Sequence, residues 1–237
     1  MGCHPDWWRY LSLAAATPAR QTQQGHTSPT LGGRARPASR RNVRIVPAAV
    51  QTRPVGPGEL ADLTDLFGST RNTRHCWCMA FCTTRTRLAL GWFGGGNRRR
   101  FAAMSTDPVP MGVLATVDDE PVGWAACGPR SRYLAATDPT NTLTAVMQRG
   151  EDEIVWLVPC LFVRPGHRGT GITYALLRAA VTQAAEHHAV AIEGWPVAGP
   201  DRRPGEEFVG REKVFADLGF RALDRPRPTR MIMRRDL

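Results

Sequence analysis

The chain has 237 residues and 42% apolar residues, which is enough for one full α/β core or two small ones. No apolar run reaches the roughly eighteen residues of a membrane span, so we expect none. The net charge of +10 is concentrated at the start, where residues 1–44 carry seven arginines against Asp6. Lys213 is the only lysine, so the charge is almost all arginine. This skew resembles codon bias more than a phosphate-binding track and argues against nucleic-acid binding.

The composition divides the chain into two parts. Residues 1–42 are rich in Thr, Gln, Gly, Pro, Ser and Arg without periodicity, which predicts a disordered basic arm. A translation start assigned too early would give the same appearance. We predict a folded domain over residues 43–237. The six cysteines are not dense, and no secretory signal is evident, which favours a reducing, cytoplasmic compartment.

Periodicity predicts alternating strands and helices within this domain. The predicted strands are Val43–Pro47, Met111–Val117, Pro121–Cys127, Ile154–Val163, Val190–Trp195, Phe220–Leu223 and Arg230–Met233. The predicted helices are Gly58–Phe67, Asn97–Met104, Ile172–His187 and Glu206–Leu218. In the third helix, Ile172, Leu176, Ala180 and Ala184 form an apolar stripe.

The most informative stretch is Leu157–Gln183, in which an apolar strand enters a glycine-containing turn that opens into an amphipathic helix. The first amides of a helix have no intrahelical acceptor, and the helix dipole adds partial positive charge there. Gly169 and Gly171 let a ligand approach the backbone because they have no Cβ. This order of elements predicts a phosphate site.

The turn resembles motif A of the GNAT superfamily of acyl-CoA N-acyltransferases. In the segment Arg168–Thr173, Arg168 and Gly171 match the family pattern, whereas Thr173 stands where the family prefers Gly or Ala. Residues 111–130 resemble the GNAT hairpin, and Phe215–Phe220 resembles its C-terminal Gly-Phe turn. His75–Met79 is similar to a Cys-Trp-Cys-Met element of an uncharacterised bacterial branch. The resemblance implies an α/β (α+β) GNAT fold: a mixed, mostly antiparallel sheet flanked by helices, with strands that splay at the cofactor site.

The resemblance also implies acetyl-CoA as co-substrate and a site for it. The loop residues implied to cradle its pyrophosphate are Arg168, Gly169, Thr170, Gly171, Ile172 and Thr173. Backbone groups of Leu161, Phe162 and Val163 would pair with the pantetheine arm and polarise the acetyl carbonyl. Pro159 marks either the strand bulge that admits this arm or a simple break in the strand.

Catalytic residues are less distinct. Glu153 precedes the long strand and is our candidate general base, with Glu151 and Glu193 as alternatives; a solvated strand-end residue would look the same. Many GNAT enzymes protonate the leaving thiolate with a Tyr at the position that Phe215 occupies here. The general acid is therefore left open.

A cysteine-rich segment contains His75, Cys76, Cys78 and Cys82. Three thiols and an imidazole suit zinc, but Cys-x-Cys is tighter than a usual zinc knuckle, and aromatic residues interleave with the cysteines. We therefore expect no metal and interpret the segment as a packed wall of the acceptor pocket. Cys160 fits a small buried hydrophobe.

Our leading hypothesis is an N-acetyltransferase that acts on a primary amine of a small molecule or a protein, with homodimerisation as an option. A non-catalytic acyl-CoA-binding GNAT module is the alternative. A remote one is an NAD-binding oxidoreductase, with Glu193 as ribose-binding acid. Tyr174 at the third glycine position and the preceding hairpin count against it.

Overall fold

The computed structural model describes residues 49–137, 151–199 and 208–237. Its seven strands are β1 (Gln51–Pro54), β2 (Gly112–Val117), β3 (Glu120–Pro129), β4 (Val155–Val163), β5 (Ala191–Gly194), β6 (Arg221–Arg227) and β7 (Arg230–Asp236). They form one sheet in the order β1-β2-β3-β4-β5-β7-β6. Only the central β4–β5 pair is parallel; the other neighbours are antiparallel.

The helices form two layers. They are α1 (Leu60–Gly68), α2 (Arg71–Cys76), α3 (Arg85–Trp92), α4 (Gly96–Met104), α5 (Leu134–Thr137), α6 (Ile172–Glu186) and α7 (Glu212–Asp217). Side chains of α1 and α4 share one core cluster with one face of the sheet, and those of α6 and α7 share a second with the other face. We call these the α1–α4 face and the α6 face. None of the described helices combines the length and apolarity needed to cross a membrane.

Most predicted elements are present, with shifted ends. The helix predicted over Glu206–Leu218 is shorter, because Gly210 has a φ of 76° and Arg211 is extended, so α7 starts only at Glu212. Strand β1, whose Pro54 suits a sheet edge, and helices α2, α3 and α5 were not predicted. The predicted arm over residues 1–42 and the strand over Val43–Pro47 lie outside the described residues.

Helix α6 confirms the predicted apolar stripe. Leu176, Ala180 and Ala184 are fully buried, and Leu177 beside them is also fully buried. The helix lies very close to β3, since a Cβ added at Gly123 would come within 2.7 Å of Ile172 Cγ2. The start of α6 is therefore fixed against the sheet.

The α1–α4 face is held by aromatic rings and one buried amide. Phe67 lies edge-on to Trp77 at 5.1 Å and to Trp124 at 6.0 Å between ring centroids. The fully buried Asn97 donates through Nδ2 to His75 O at 2.8 Å and to Leu88 O at 3.2 Å. One side chain thereby ties α2, α3 and α4 together.

Strand β4 runs without a break through Pro159 and carries a bulge there. Ala126 pairs with Cys160 and Gly128 with Leu157, so Val158 and Pro159 together oppose Cys127 of β3. The extra residue reverses the side-chain alternation. Leu157 and Cys160 consequently face α1–α4, whereas Val158 and Leu161 face α6.

Candidate active site

The two parallel strands separate at the bulge. The β4–β5 pairing ends at Val158 and Gly194, although β4 continues to Val163. After β5 the chain follows β7 instead, since Ala198 N donates to Thr229 O at 3.1 Å. Among the strands that the structure describes, none therefore pairs with the edge of β4 from Pro159 to Val163. We call this opening the wedge.

Leu161 and Val163 turn their backbone groups towards the wedge. Arg164 N donates to Val122 O at 2.9 Å, which marks a hydrogen-bonded position between β4 and β3. Because such positions alternate along an antiparallel pair, Phe162 bonds to β3, whereas Leu161 and Val163 point away from it. Val163 O accepts a bond from Arg168 Nε at 3.3 Å. The wedge is thus lined by the N–H and C=O of Leu161 and by the Val163 N–H.

The loop after β4 presents unpaired amides. Gly166, Gly169 and Gly171 have φ values of 97°, 81° and 87°, which favour glycine. Gly171 is the N-cap of α6, and no side chain caps this helix. Within the described ranges, the backbone amides of residues 168–173 have no hydrogen-bond acceptor, and the loop is largely exposed. All six predicted loop residues therefore lie together at a helix start that suits an anion.

The two arginines of this loop, Arg164 and Arg168, differ in how strongly other residues hold their side chains. Arg164 is held by Asp65 at 2.5 Å and by Pro121 O at 2.9 Å. Arg168, by contrast, is exposed, and within the described ranges its side chain makes one hydrogen bond, to Val163 O. Arg168 is therefore the loop cation best placed to meet an anionic ligand.

Phe215 closes the base of the wedge on the α6 face. It is fully buried, and a Cβ added at Gly194 would come within 2.2 Å of its ring. Its ring centroid lies 5.0 Å from that of Phe220. Gly210 also fits closely, since a Cβ there would lie 2.9 Å from Leu161 Cδ1. The position of the expected general acid thus holds an apolar ring with no proton to donate.

The structure does not bring Glu153 to the wedge. It is exposed in the turn before β4, eight residues from Leu161, which is about 26 Å along an extended strand. Glu151 pairs with Arg234 at 3.0 Å. Neither carboxylate has a role in the mechanism proposed below.

Glu193 belongs to a buried ion-pair network. Its carboxylate accepts from Arg130 Nη1 at 3.1 Å and from Arg234 Nη1 at 3.3 Å, and Arg130 also binds Asp152 at 2.9 Å. Burial raises the pKa of Glu193, whereas the two guanidinium groups act to lower it. Its oxygens are thus occupied, which leaves no free acid for a dinucleotide ribose. The sequence signal for this network was a charged residue, Glu193, within the otherwise apolar strand Ala191–Gly194.

The cysteine-rich segment packs into the α1–α4 face. Cys78 Sγ lies 3.4 Å from Cys160 Sγ and accepts from Trp124 Nε1 at 3.1 Å. Burial raises the pKa of Cys76 and of Cys82 to about 12. The His75 ring stacks on Trp92 at 5.4 Å. Among the described residues, no three His, Cys, Asp or Glu side chains are grouped to hold a metal ion.

Comparison with known proteins is consistent with this geometry. The family model of the acetyltransferase (GNAT) family matches residues 62–202, more than half of the chain. The chain belongs to the GNAT family and is, by that membership, an acyl-CoA N-acetyltransferase. No curated protein matches its sequence.

Several solved structures are similar in fold at low identity. The PaiA N-acetyltransferase of Thermoplasma acidophilum, solved with coenzyme A, is 11% identical with a TM-score of 0.47, over 80% of this chain and 99% of that one. A GNAT acetyltransferase of Listeria monocytogenes is 12% identical with a TM-score of 0.48, over 79% and 95% of the two chains. An acetyltransferase of Thermus thermophilus is 17% identical with a TM-score of 0.44, over 81% and 99%.

Proposed function

We propose that this protein transfers the acetyl group of acetyl-CoA to a primary amine of a small molecule or a protein. The observation that carries the proposal is the wedge. Within the described part of the chain, strand β4 keeps an unpaired edge from Pro159 to Val163, directly before a loop whose amides at residues 168–173 are unpaired. A cofactor with a pyrophosphate at one end and an amide-containing arm leading to its reactive end matches both features.

The loop residues bind the pyrophosphate in this proposal. The amides from Gly169 to Thr173 donate to phosphate oxygens, and the helix dipole of α6 adds to the attraction. Arg168 contributes a positive charge from its exposed position. The pantetheine amides then pair with Leu161 and Val163 as an added strand would.

The Leu161 N–H would polarise the acetyl carbonyl. The amine nitrogen attacks the carbonyl carbon, the carbonyl oxygen gains negative charge, and a fixed N–H stabilises that charge. The C–S bond then breaks with its electron pair on sulfur. Because Phe215 carries no proton, water supplies the proton to the thiolate and accepts the one that nitrogen loses.

The test begins with calorimetric titration of acetyl-CoA into the wild-type protein and into Gly171→Val. The substitution strains a φ of 87° and fills the space over the loop amides. We expect about a hundredfold weaker binding, since several charge-assisted hydrogen bonds are lost. Gly94→Val is the matched control, because Gly94 has a φ of 64°, equally open surroundings and no place in the loop.

The second step is thiol release from acetyl-CoA with a panel of primary amines. Release that depends on an amine supports the transferase. Binding without such release would instead support the non-catalytic acyl-CoA module that Phe215 suggests. Equal affinity in wild type and Gly171→Val would reject the phosphate site.

A further inference from the structure

Three buried side-chain polar atoms have no hydrogen-bond partner within the described residues: Tyr133 OH, Gln183 Oε1 and Trp195 Nε1. A buried polar atom without a partner destabilises the fold, so each needs a reason. Tyr133 borders a small cavity in the α1–α4 face, and Gln183 lies on α6. Trp195 alone lies where β4 and β5 separate.

The position of Trp195 follows from the strand pairing. It comes directly after Gly194, which forms the last pair with Val158. Adjacent strands lie about 4.8 Å apart, so the Trp195 backbone lies beside the bulge at Pro159. The side chain is only 1% exposed and belongs to the same core cluster as Leu157 and Cys160, which flank that bulge.

The backbone on both sides of Trp195 is held firmly. Trp195 O accepts from Arg230 Nη1 at 3.1 Å, and Pro196 O accepts from Met231 N at 3.1 Å. Two residues earlier, Glu193 is fixed by two arginines. The backbone that carries the indole is therefore fixed, and among the described residues the buried indole N–H has no acceptor.

We propose that Trp195 Nε1–H donates a hydrogen bond to the carbonyl oxygen of the acyl thioester. This inference rests on the proposed function and adds a second donor to the Leu161 N–H. As the amine nitrogen bonds to the carbonyl carbon, the C=O electron pair moves onto oxygen, and two donors would then stabilise the growing charge. When the C–S bond breaks, the carbonyl re-forms and keeps the same two bonds.

The test compares two cofactors that differ at the carbonyl. Acetyl-CoA and S-ethyl-CoA have the same chain length, but the thioether has no oxygen to accept a bond. We expect Trp195→Phe to weaken acetyl-CoA binding about five- to tenfold by calorimetry and to leave S-ethyl-CoA binding unchanged. Trp156→Phe is the matched control, because this buried tryptophan lies on β4 before the bulge, stacks on His187 at 5.4 Å and is not among the three side chains with an unpartnered buried atom. It should leave both affinities unchanged.

A second measurement uses the wild-type protein and does not depend on a variant that folds. With ¹⁵N-labelled tryptophan, acetyl-CoA should shift one indole N–H proton downfield, and S-ethyl-CoA should not. Loss of both affinities together in Trp195→Phe, or no loss of either, would overturn the inference while the proposed function stands. Failure of wild type to bind either cofactor would reject the proposed function itself.

Discussion

The two faces of the sheet are built from different material. The α6 face is mainly aliphatic and packs the fifteen-residue α6 beside the short α7, with small residues such as Ala180 and Gly123 allowing close approach. The α1–α4 face packs four short helices through Phe67, Trp77, Trp124 and sulfur atoms. The contrast indicates that the α6 face depends on a regular scaffold, whereas the α1–α4 face depends on particular side chains fitted to one another.

The largest effect should come from the buried charges at the end of the α1–α4 face. Arg130→Met leaves Glu193 buried with Arg234 alone, and we expect the free energy of unfolding in urea to fall by about 3–5 kcal/mol. Acidification should return part of the loss, because burial raises the pKa of Glu193 and the protonated form needs no partner. Arg53→Met, in a half-exposed pair with Asp62, should cost less than about 1 kcal/mol. Equal losses would contradict the distinction between buried and exposed pairs.

An alkaline titration tests whether water reaches the buried core on the α6 face. Burial raises the pKa of Cys127 to about 12 from an ordinary value of 9.0. Above pH 9 the unfolded chain loses this proton and the folded chain keeps it, so the thiol's stabilising contribution declines as pH rises. We expect about 1.4 kcal/mol less unfolding free energy per pH unit from this thiol. Cys127→Ala should flatten that part of the profile; an unchanged slope would show that Cys127 is hydrated.

Overpacking tests the base of the wedge. Gly194→Ala places a methyl group against the Phe215 ring, which should cost about 1–3 kcal/mol. Adding Phe215→Leu should recover part of this, as measured by thermal and urea unfolding of the double variant. If the two changes are simply additive, the ring and Gly194 are not in close contact.

The smallest effect should come from the exposed cluster on the α6 face. Lys213 Nζ binds Asp217 at 2.8 Å, and Tyr174 OH donates to the same carboxylate at 2.6 Å. The hydrogen bond from Lys213 lowers the pKa of Asp217. Because solvent screens this pair, Lys213→Met should leave the melting temperature unchanged within error. A clear decrease would show that this surface is more tightly packed than its exposure indicates.

The sequence predicted the α6 face well because its signals are local. Periodic apolar residues define α6, and Gly169 and Gly171 mark the turn before it. The short helices of the other face depend on contacts distant in sequence. Asn97 bonds to carbonyls of residues 75 and 88, and Trp77 and Cys78 adopt φ values of 49° and 53° that no local pattern predicts.

The same limit applies to the candidate site. The loop residues were predicted from a local pattern, a strand followed by a glycine-containing turn and a helix, and they lie together at the start of α6; their binding of an anion stays a prediction. The surroundings of Glu193 and Trp195 were not predicted, because they form only when β5, β7 and the segment after β3 come together in the fold. Glu193 gains its arginine partners there, whereas the Trp195 indole N–H gains none among the described residues. Glu153 was chosen because it directly precedes β4, but it lies in the turn before this strand, eight residues from Leu161.

The bulge at Pro159 divides β4 into two parts that differ in their neighbouring strands. Up to Val158 the strand is paired with both β3 and β5. Beyond Val158 it is paired, among the described strands, with β3 alone. Deleting one residue here would restore one-to-one pairing between β4 and β3. The β4 side chains on one side of the deletion would then move to the opposite face of the sheet. A single extra residue in β4 therefore separates the part of the sheet in which both edges of the strand are paired from the part in which one edge is open.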